Sequence, residues 1–431
     1  MDPNKQREIA RKGGRAAAAC ERDRARRATP DKGRPGWRML ATLLVGAALT
    51  GFVLATPEWN FDVVCYAGAA RIWLGEPPAQ AHANVYRELR TTAPPEAVYA
   101  IRSLSEYRET VAESVDVFLI QLPMYAVKAL YVAIIAAVVK LGGNSISAPF
   151  QISAVAYGGF AVLVLLALAR VASIRVMFAV GLPLLLSPPF LEVGRLSTPD
   201  ALSAYIVFGG LYALVFAGKP LTGAGLLLLS IVARPNNIIL CVAIASWWWW
   251  KDPSRSPWPF LAATLGMLVS LIVTWMTGGY SWGVYFTHAY LRRITDLATV
   301  RSEVTVSNYL ATLWPALRGA NVLYPSFALL FLVMTITGSI TARGTVPAKR
   351  RREVGLQVAV WGSLAVQFVI YPMVADRLFV VHYALVSIVT VSLIGSSRGD
   401  EEGMTARAHR SGSHVALLAD RPEPSAPAAG T

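Results

Sequence analysis

The sequence predicts an all-α protein that crosses a membrane many times, and two observations lead to that prediction. Of its 431 residues, 55% are hydrophobic and only 15% are charged, whereas soluble domains carry about 25% charged residues. The hydrophobic residues occur in blocks of roughly 15–24, the length that a helix needs to cross the hydrocarbon core of a bilayer. We therefore expect a bundle of about ten transmembrane helices, with nearly all of its core in lipid.

The N-terminal segment is basic. Residues 1–38 hold twelve Lys or Arg against five acids. Basic residues beside a hydrophobic segment stay in the cytoplasm and contact anionic lipid, so the run indicates topology rather than nucleic-acid binding. Residues 1–37 have the composition of a disordered tail. The tail is too long for the basic part of a signal peptide, so the span at 38–55 is expected to remain as an anchor in the plasma (inner) membrane.

A polar outer loop, 57–117, follows this first span, and a loop of that length in a compact protein is usually functional. The next segment, 118–140, is long enough to cross the membrane but carries Lys128 and Lys140, with Pro123 near its start. If this segment is a re-entrant or juxtamembrane element, every later basic linker falls in the cytoplasm, as the positive-inside rule requires. We therefore predict that 118–140 does not cross.

The rest of the chain predicts nine further spans. They are expected at 149–169, 176–192, 201–217, 221–233, 236–250, 257–278, 323–341, 355–373 and 379–396. The membrane domain thus covers 38–396, with a late outer loop at 279–322 and a disordered cytoplasmic tail at 397–431. Both termini are expected inside, and polar residues at several span ends meet at the outer face.

Asp62 stands at the mouth of the first outer loop, among aromatic residues and ahead of an aliphatic stretch. A carboxylate at such a membrane edge is a candidate general base. The alternative is that Asp62 is the N-cap of a helix that begins at Val63, because Asp is a favoured N-cap residue. The residue pattern alone leaves both interpretations open.

Three arginines are predicted to reach the same outer face. Arg195 precedes the span at 201–217, so we expect it near a helix N-terminus, where the helix dipole disfavours a cation unless an anion binds there. Arg234 precedes Pro235, between two short hydrophobic segments, and an interfacial arginine reaching for water is its alternative. Arg377 follows Asp376, and a local ion pair is its alternative.

These features resemble the GT-C superfamily of glycosyltransferases that use polyprenyl-phosphate sugars, and most closely glycosyltransferase family 87, the mannosyltransferase-like group. The resemblance covers roughly 40–395 and rests on four short motifs. They are Phe61-Asp62 with Tyr66, Ala69-Ala70 and Leu74-Gly75; Gly194-Arg195 with Asp200; Arg234-Pro235; and Asp376-Arg377. The sequence departs from the family pattern in three places. The family usually has a Tyr soon after the glycine, whereas here Tyr86 comes later after Gly75. Leu122-Pro123-Met124-Tyr125 replaces a Pro-Pro pair, and no Tyr adjoins Arg377.

The resemblance implies an inverting transfer of a mannose-like hexose on the outer face, to a lipid, glycan or protein acceptor. Asp62 would be the general base, and Arg195, Arg234, Arg377 or Lys128 would hold the phosphate of the donor. Further candidates for acid–base work or acceptor binding are Asp200, Glu192, His288 and Tyr66. No cofactor is expected, although a divalent metal is not excluded, and the three cysteines show no zinc-binding spacing.

Two other classes of function stay open on the sequence. A transporter or flippase for a lipid-linked or anionic substrate would also use arginines at broken helices, but such proteins often contain inverted repeats with a site at mid-membrane. No repeat is visible, and the polar residues gather at one face. A membrane scaffold would make the placement of these arginines accidental.

Overall fold

The computed structural model describes residues 35–251, 257–318, 335–336, 348–372 and 376–394. The structure in these ranges is helical without strands, apart from one isolated bridge between Glu58 and Leu196. The prediction of an all-helical protein with membrane-type hydrophobic helices is confirmed. Nearly all of both predicted tails, and most of the predicted span at 323–341, lie outside the described residues.

The first part of the described chain contains one long hydrophobic helix and a series of shorter ones. They are α1 (Pro35–Ala55), α2 (Asp62–Trp73), α3 (Pro78–Thr92), α4 (Pro95–Ser103), α5 (Glu106–Glu113), α6 (Val115–Gln121), α7 (Pro123–Ala126) and α8 (Ala129–Lys140). The loop predicted at 57–117 is therefore folded into a series of short helices.

Most of the later helices are longer than those of the predicted first outer loop. They are α9 (Ser147–Val171), α10 (Ile174–Leu185), α11 (Pro188–Arg195), α12 (Asp200–Leu211), α13 (Pro220–Ala233), α14 (Asn237–Lys251), α15 (Trp258–Met276), α16 (Trp282–Phe286), α17 (Val306–Arg318), α18 (Ala348–Ile370) and α19 (Arg377–Ile394). Single π-helical turns extend α12 to Phe216 and α16 to Leu291.

The described helices provide fewer full-length spans than the ten predicted. Five are long and hydrophobic enough to cross a membrane, and there are seven if each of two bent pairs counts as one span. In the first pair, α6 and α7 meet α8 at an angle of 117°. This bend, in the predicted re-entrant segment, is that of a re-entrant loop or a broken span. The segments at 201–217, 221–233 and 236–250 form hydrophobic helices too short for the same length criterion.

Helix α9 lies at the centre of the bundle and packs against α1, α11 and α12. Two glycines make its contact with α1 possible. A Cβ atom added to Gly46 would lie 2.9 Å from the backbone oxygen of Gly158, and one added to Gly158 would lie 2.8 Å from that of Gly46. Small residues that let two backbones approach are typical of helix pairs in membranes, where close packing drives association.

A buried ion network fixes the helices of the first outer loop to the membrane bundle. Arg71 on α2 forms ion pairs with Glu76 and with Glu88 of α3, and its Nε donates a hydrogen bond to Ser145 Oγ at 3.1 Å. The Ser145 hydroxyl donates to Glu88 at 2.6 Å, and the Asn84 amide donates to Glu76. We call these five residues the Arg71 network. It holds α2 and α3 to the turn before α9, so the position of α2 is set by the bundle.

Candidate functional site

Two chain segments that lie far apart in sequence meet at the start of α2. The backbone N–H of Glu58 donates to the carbonyl of Arg195 at 3.0 Å, and the Ser197 hydroxyl donates to Asn60 Oδ1 at 2.7 Å. These contacts bring the N-terminus of α2 beside that of α12. The first residues of both helices are acidic, and the two carboxylates belong to the same region of the molecule.

Asp62 is the first residue of α2, and the N-cap position belongs to Phe61, with no side-chain capping hydrogen bond. The N-cap interpretation of Asp62 therefore differs from the structure. Its half-buried carboxylate instead accepts a hydrogen bond from the Tyr125 hydroxyl, which lies 3.0 Å from Oδ1. Both the helix N-terminus and the phenol stabilise a negative charge. Tyr125 was not predicted as a site residue, although it follows Pro123 in the predicted re-entrant segment.

Lys128 lies at the bend between α7 and α8. Its ammonium group donates to the Met124 carbonyl and lies 5.3 Å from the centre of the Tyr125 ring. Asp62, Asp200 and Arg234 all interact electrostatically with this ammonium group. In the described part of the chain, no carboxylate lies within ion-pair distance of Lys128. Among the predicted phosphate-binding residues, Lys128 is therefore the one that has no carboxylate partner in the described part of the chain.

The other charges of the site are already paired. Arg234 forms an ion pair with the buried Asp200, and Arg377 donates to Glu192 Oε1 at 3.1 Å. The Nε atom of Arg377 lies 3.6 Å from Asp200 Oδ2. We call this group, together with Asp62 and Lys128, the charged cluster. It contains three basic and three acidic side chains, whose formal charges cancel.

An aromatic chamber of about 320 Å³ opens beside the charged cluster. Its lining includes Lys128, Arg234, Tyr280, Trp282, Tyr285 and Tyr371. Asp62 is not among the lining residues, and Tyr125 and Lys128 connect it to this chamber. Tyr371, which directly follows α18, was not predicted, because nothing in its local sequence distinguishes it.

The aromatic chamber continues into hydrophobic space. It shares Pro235, Asn236 and Tyr371 with a cavity of about 330 Å³. That cavity shares Ile238 and Ile239 with a groove of about 640 Å³ between α14 and α18. The groove is lined almost entirely by hydrophobic atoms. A molecule with a charged end and a long hydrocarbon chain matches this sequence of spaces.

Arg195 is placed differently from its prediction. It is the last residue of α11, so it lies at a helix C-terminus, where the helix dipole favours a cation. Its Nε atom donates to the Thr56 carbonyl at 2.7 Å, and Nη1 lies 3.8 Å from Glu58. The expected position at a helix N-terminus was therefore wrong, and the helix dipole gives no argument for a phosphate at Arg195. Through these two contacts, Arg195 holds the end of α11 against the residues that precede α2.

Two further candidates lie within packed side chains. Tyr66 is buried between the rings of Tyr125 and Tyr131, each about 5.0 Å away. His288 is buried and accepts a hydrogen bond from the Ile294 N–H at 3.1 Å. Burial, with the nearby charge of Arg293, lowers the pKa of His288 to about 4. At neutral pH this imidazole is uncharged and helps to hold the late outer loop.

The described residues hold no group of three or more His, Cys, Asp or Glu side chains that could bind a metal ion. The side chain of Asp376 lies outside the described part, so the predicted local ion pair with Arg377 stays a prediction. Arg377 pairs with Glu192 and Asp200, which lie on other helices.

One comparison with known families gives a match, and it covers only the first residues. Residues 1–17 match the KGG model, described as a stress-induced bacterial acidophilic repeat motif. Searches of curated proteins and of solved structures give no match. The KGG match does not reach the membrane helices or the charged cluster, so it carries no information about the site.

Proposed function

We propose that this protein is a membrane glycosyltransferase of the GT-C type that takes a hexose from a polyprenyl-phosphate donor. The observation that carries the proposal is the position of Lys128. It is a cation without a carboxylate partner in the described structure, next to a half-buried carboxylate and in a chamber that leads into a hydrophobic groove. Binding of a lipid phosphate requires such a cation and such a hydrophobic groove. Displacement of the phosphate requires a carboxylate that accepts the proton of the attacking hydroxyl.

In the proposed reaction, an acceptor hydroxyl attacks the anomeric carbon of the sugar. The bond between that carbon and the phosphate oxygen breaks, and inversion follows from attack opposite the leaving group. Asp62 takes the hydroxyl proton on Oδ2, since Oδ1 already accepts from Tyr125. General-base assistance of this kind contributes about 10²–10⁴-fold.

The leaving polyprenyl phosphate carries a negative charge that the site must stabilise. Lys128 and Arg234 both line the aromatic chamber and supply positive charge there. Arg377 faces Glu192 and Asp200, so we assign it to holding the cluster together. The hydrocarbon chain would follow the cavity to the groove between α14 and α18, and the aromatic side chains would contact the sugar.

The proposal is tested by supplying radiolabelled polyprenyl-phosphate hexoses to membranes that contain the protein. Transfer of label to a lipid, glycan or protein fraction supports it. In reconstituted vesicles, movement of the intact donor across the bilayer without cleavage of the sugar–phosphate bond would instead identify a flippase.

We predict that Lys128→Gln raises the KM for the donor about 10- to 100-fold, because a hydrogen bond to a charged group contributes about 1.5–3 kcal/mol. Lys140→Gln is the matched control, since Lys140 ends α8, the other arm of the bend, and is exposed. Steady-state rates at varied donor concentration give the two KM values. Equal effects of both substitutions would contradict the role of Lys128.

The proposed orientation, with both termini in the cytoplasm and the charged cluster at the outer face, has its own test. Tyr99 on α4 is 62% exposed, whereas Cys65 and Cys241 are fully buried. In a Cys20→Ser background, we expect Tyr99→Cys to react with a membrane-impermeant maleimide in intact cells, and the unchanged background not to react. Labelling of Tyr99→Cys only after permeabilisation would place the first outer loop in the cytoplasm.

A further inference from the structure

A fourth, smaller cavity lies between α12, α14, α18 and α19, at the edge of the charged cluster. Its lining is mostly polar and includes Asp200, Ser203, Asn237, Gln367, Arg377 and His382. The space open to the centre of a water-sized sphere is about 20 Å³. A cavity needs about 10–15 Å³ by this measure to hold one water molecule. The cavity is therefore large enough for one water and too small for a substrate.

The hydrogen bonds around His382 determine which ring nitrogen carries its proton. The Ser363 hydroxyl donates its single proton to the Val360 carbonyl at 2.8 Å. Ser363 Oγ can therefore only accept from His382 Nε2, which lies 3.0 Å away. Nε2 then carries the ring proton and Nδ1 is an acceptor. This Nδ1 is buried and has no hydrogen-bond partner among the described residues, and the side chain is only 3% exposed.

Arg377 lines the same cavity and carries a complementary atom, a hydrogen-bond donor. Its Nη1 donates to Glu192, but its buried Nε has no hydrogen-bond partner in the described structure, since 3.6 Å to Asp200 is too long. An unsatisfied buried donor or acceptor costs about 1–3 kcal/mol. One donor and one acceptor thus lack partners in residues that line the same one-water cavity.

We propose that an internal water occupies this cavity, accepts a hydrogen bond from Arg377 Nε and donates one to His382 Nδ1. Asp200 and Gln367 provide acceptors for its second proton in the same lining. The water fixes one edge of the Arg377 guanidinium group, and Glu192 fixes another. His382 is accordingly a positioning residue: it acts on the charged cluster through the water and Arg377, and it does not touch a substrate.

The first test is structural and is independent of any activity. In a structure of the protein in lipid nanodiscs, determined by electron cryo-microscopy at a resolution that shows ordered waters, we expect one water about 2.7–3.2 Å from both atoms. Either an empty cavity in a map that shows other buried waters, or a protein group bonded to His382 Nδ1, overturns the water site.

The second test rests on the proposed transferase function and compares two substitutions. His382→Phe removes the acceptor for the water, whereas the side-chain oxygen of His382→Gln still offers one. We expect His382→Phe to raise the KM for a polyprenyl-phosphate hexose roughly 3- to 10-fold, the effect of one ordinary hydrogen bond. The kcat should stay within about 2-fold, and His382→Gln should recover most of the loss.

An unchanged KM in His382→Phe, or a loss that His382→Gln does not recover, overturns the positioning role. If His382→Phe does not fold, the structure of the His382→Gln variant becomes the test, and the water must still be present in it. If the unmodified protein transfers no sugar, the proposed function fails, while the presence or absence of the water still decides this inference.

Discussion

The substitution Asp62→Asn is expected to lower the transfer rate by at least about 10²-fold while the protein folds normally. An amide cannot take a proton from the acceptor hydroxyl, so the general-base contribution is lost. Folding should be preserved because Asn has nearly the same size, and its side-chain oxygen can still accept the hydrogen bond from Tyr125. Initial rates at saturating donor, compared with the melting temperature of the purified protein, measure both effects.

Asp116→Asn is the matched control, because Asp116 also lies in the first turn of a short helix, α6. Both substitutions remove one favourable interaction with a helix dipole, about 0.3–1 kcal/mol, but only Asp62 belongs to the charged cluster. Asp62→Glu keeps the charge and moves the carboxylate, and such misplacement alone can cost about 10²-fold. A folded Asp62→Asn protein that transfers sugar at the normal rate would falsify the proposed base.

The second large effect is expected for Arg71→Met, which removes the centre of the Arg71 network. Glu76 and Glu88 would keep their charges without their cation. Removing one partner of a buried ion pair typically destabilises a protein by about 3–5 kcal/mol. Because the network joins α2 and α3 to the turn before α9, we expect a lower melting temperature and faster proteolysis of the first outer loop.

Arg90→Met provides the comparison, since Arg90 is exposed on the same helix as Glu88. It should change the free energy of unfolding by no more than about 0.5 kcal/mol. Equal stability of the two variants would show that the Arg71 network contributes no more than a surface arginine. The double substitution Arg71→Met with Glu88→Gln should recover part of the loss, because it removes one of the two unpaired charges.

Several features of the site could be predicted because they depend on local sequence. Pro235 cannot continue α13, so the break at Arg234 follows from the chemistry of the proline ring. Lys128 in a hydrophobic segment predicts an interruption there, because an isolated charge inside a membrane is costly. The structure has a helix end at the first position and a sharp bend at the second.

Other features depend on contacts between distant parts of the chain. The end of α11 at Arg195 coincides with the pairing of Leu196 with Glu58, more than 130 residues away in sequence. The hydrophobicity of the residues around Arg195 gives no indication of that pairing. Arg195 was therefore predicted near a helix N-terminus, whereas it lies at a helix C-terminus. The hydrogen bond from Tyr125 to Asp62, across 63 positions, was missed for the same reason.

The number of spans was predicted from blocks of hydrophobic residues. Such a block shows the composition of a segment, but it does not fix the length of the helix that the segment forms. Proline, glycine and charged residues divide those blocks, and the helices end where the divisions occur. The span predicted at 176–192 thus corresponds to the bent pair α10 and α11, and Ser187-Pro188 lies at the break between them. Within the polar loop predicted at 57–117, two separate helices, α4 and α5, follow one another, and Ser105 caps α5.

The short helices α13 and α14 have a consequence for the surrounding lipid. They contain 14 and 15 residues, and at about 1.5 Å per residue each is about 21–23 Å long. The hydrocarbon core of a bilayer is about 30 Å thick. Such a hydrophobic mismatch is relieved when the membrane thins locally or the flanking side chains extend toward the headgroups. If α13 and α14 each cross the bilayer, as the sequence predicts, the acyl-chain length of the host membrane acts directly on the two helices that meet at Arg234.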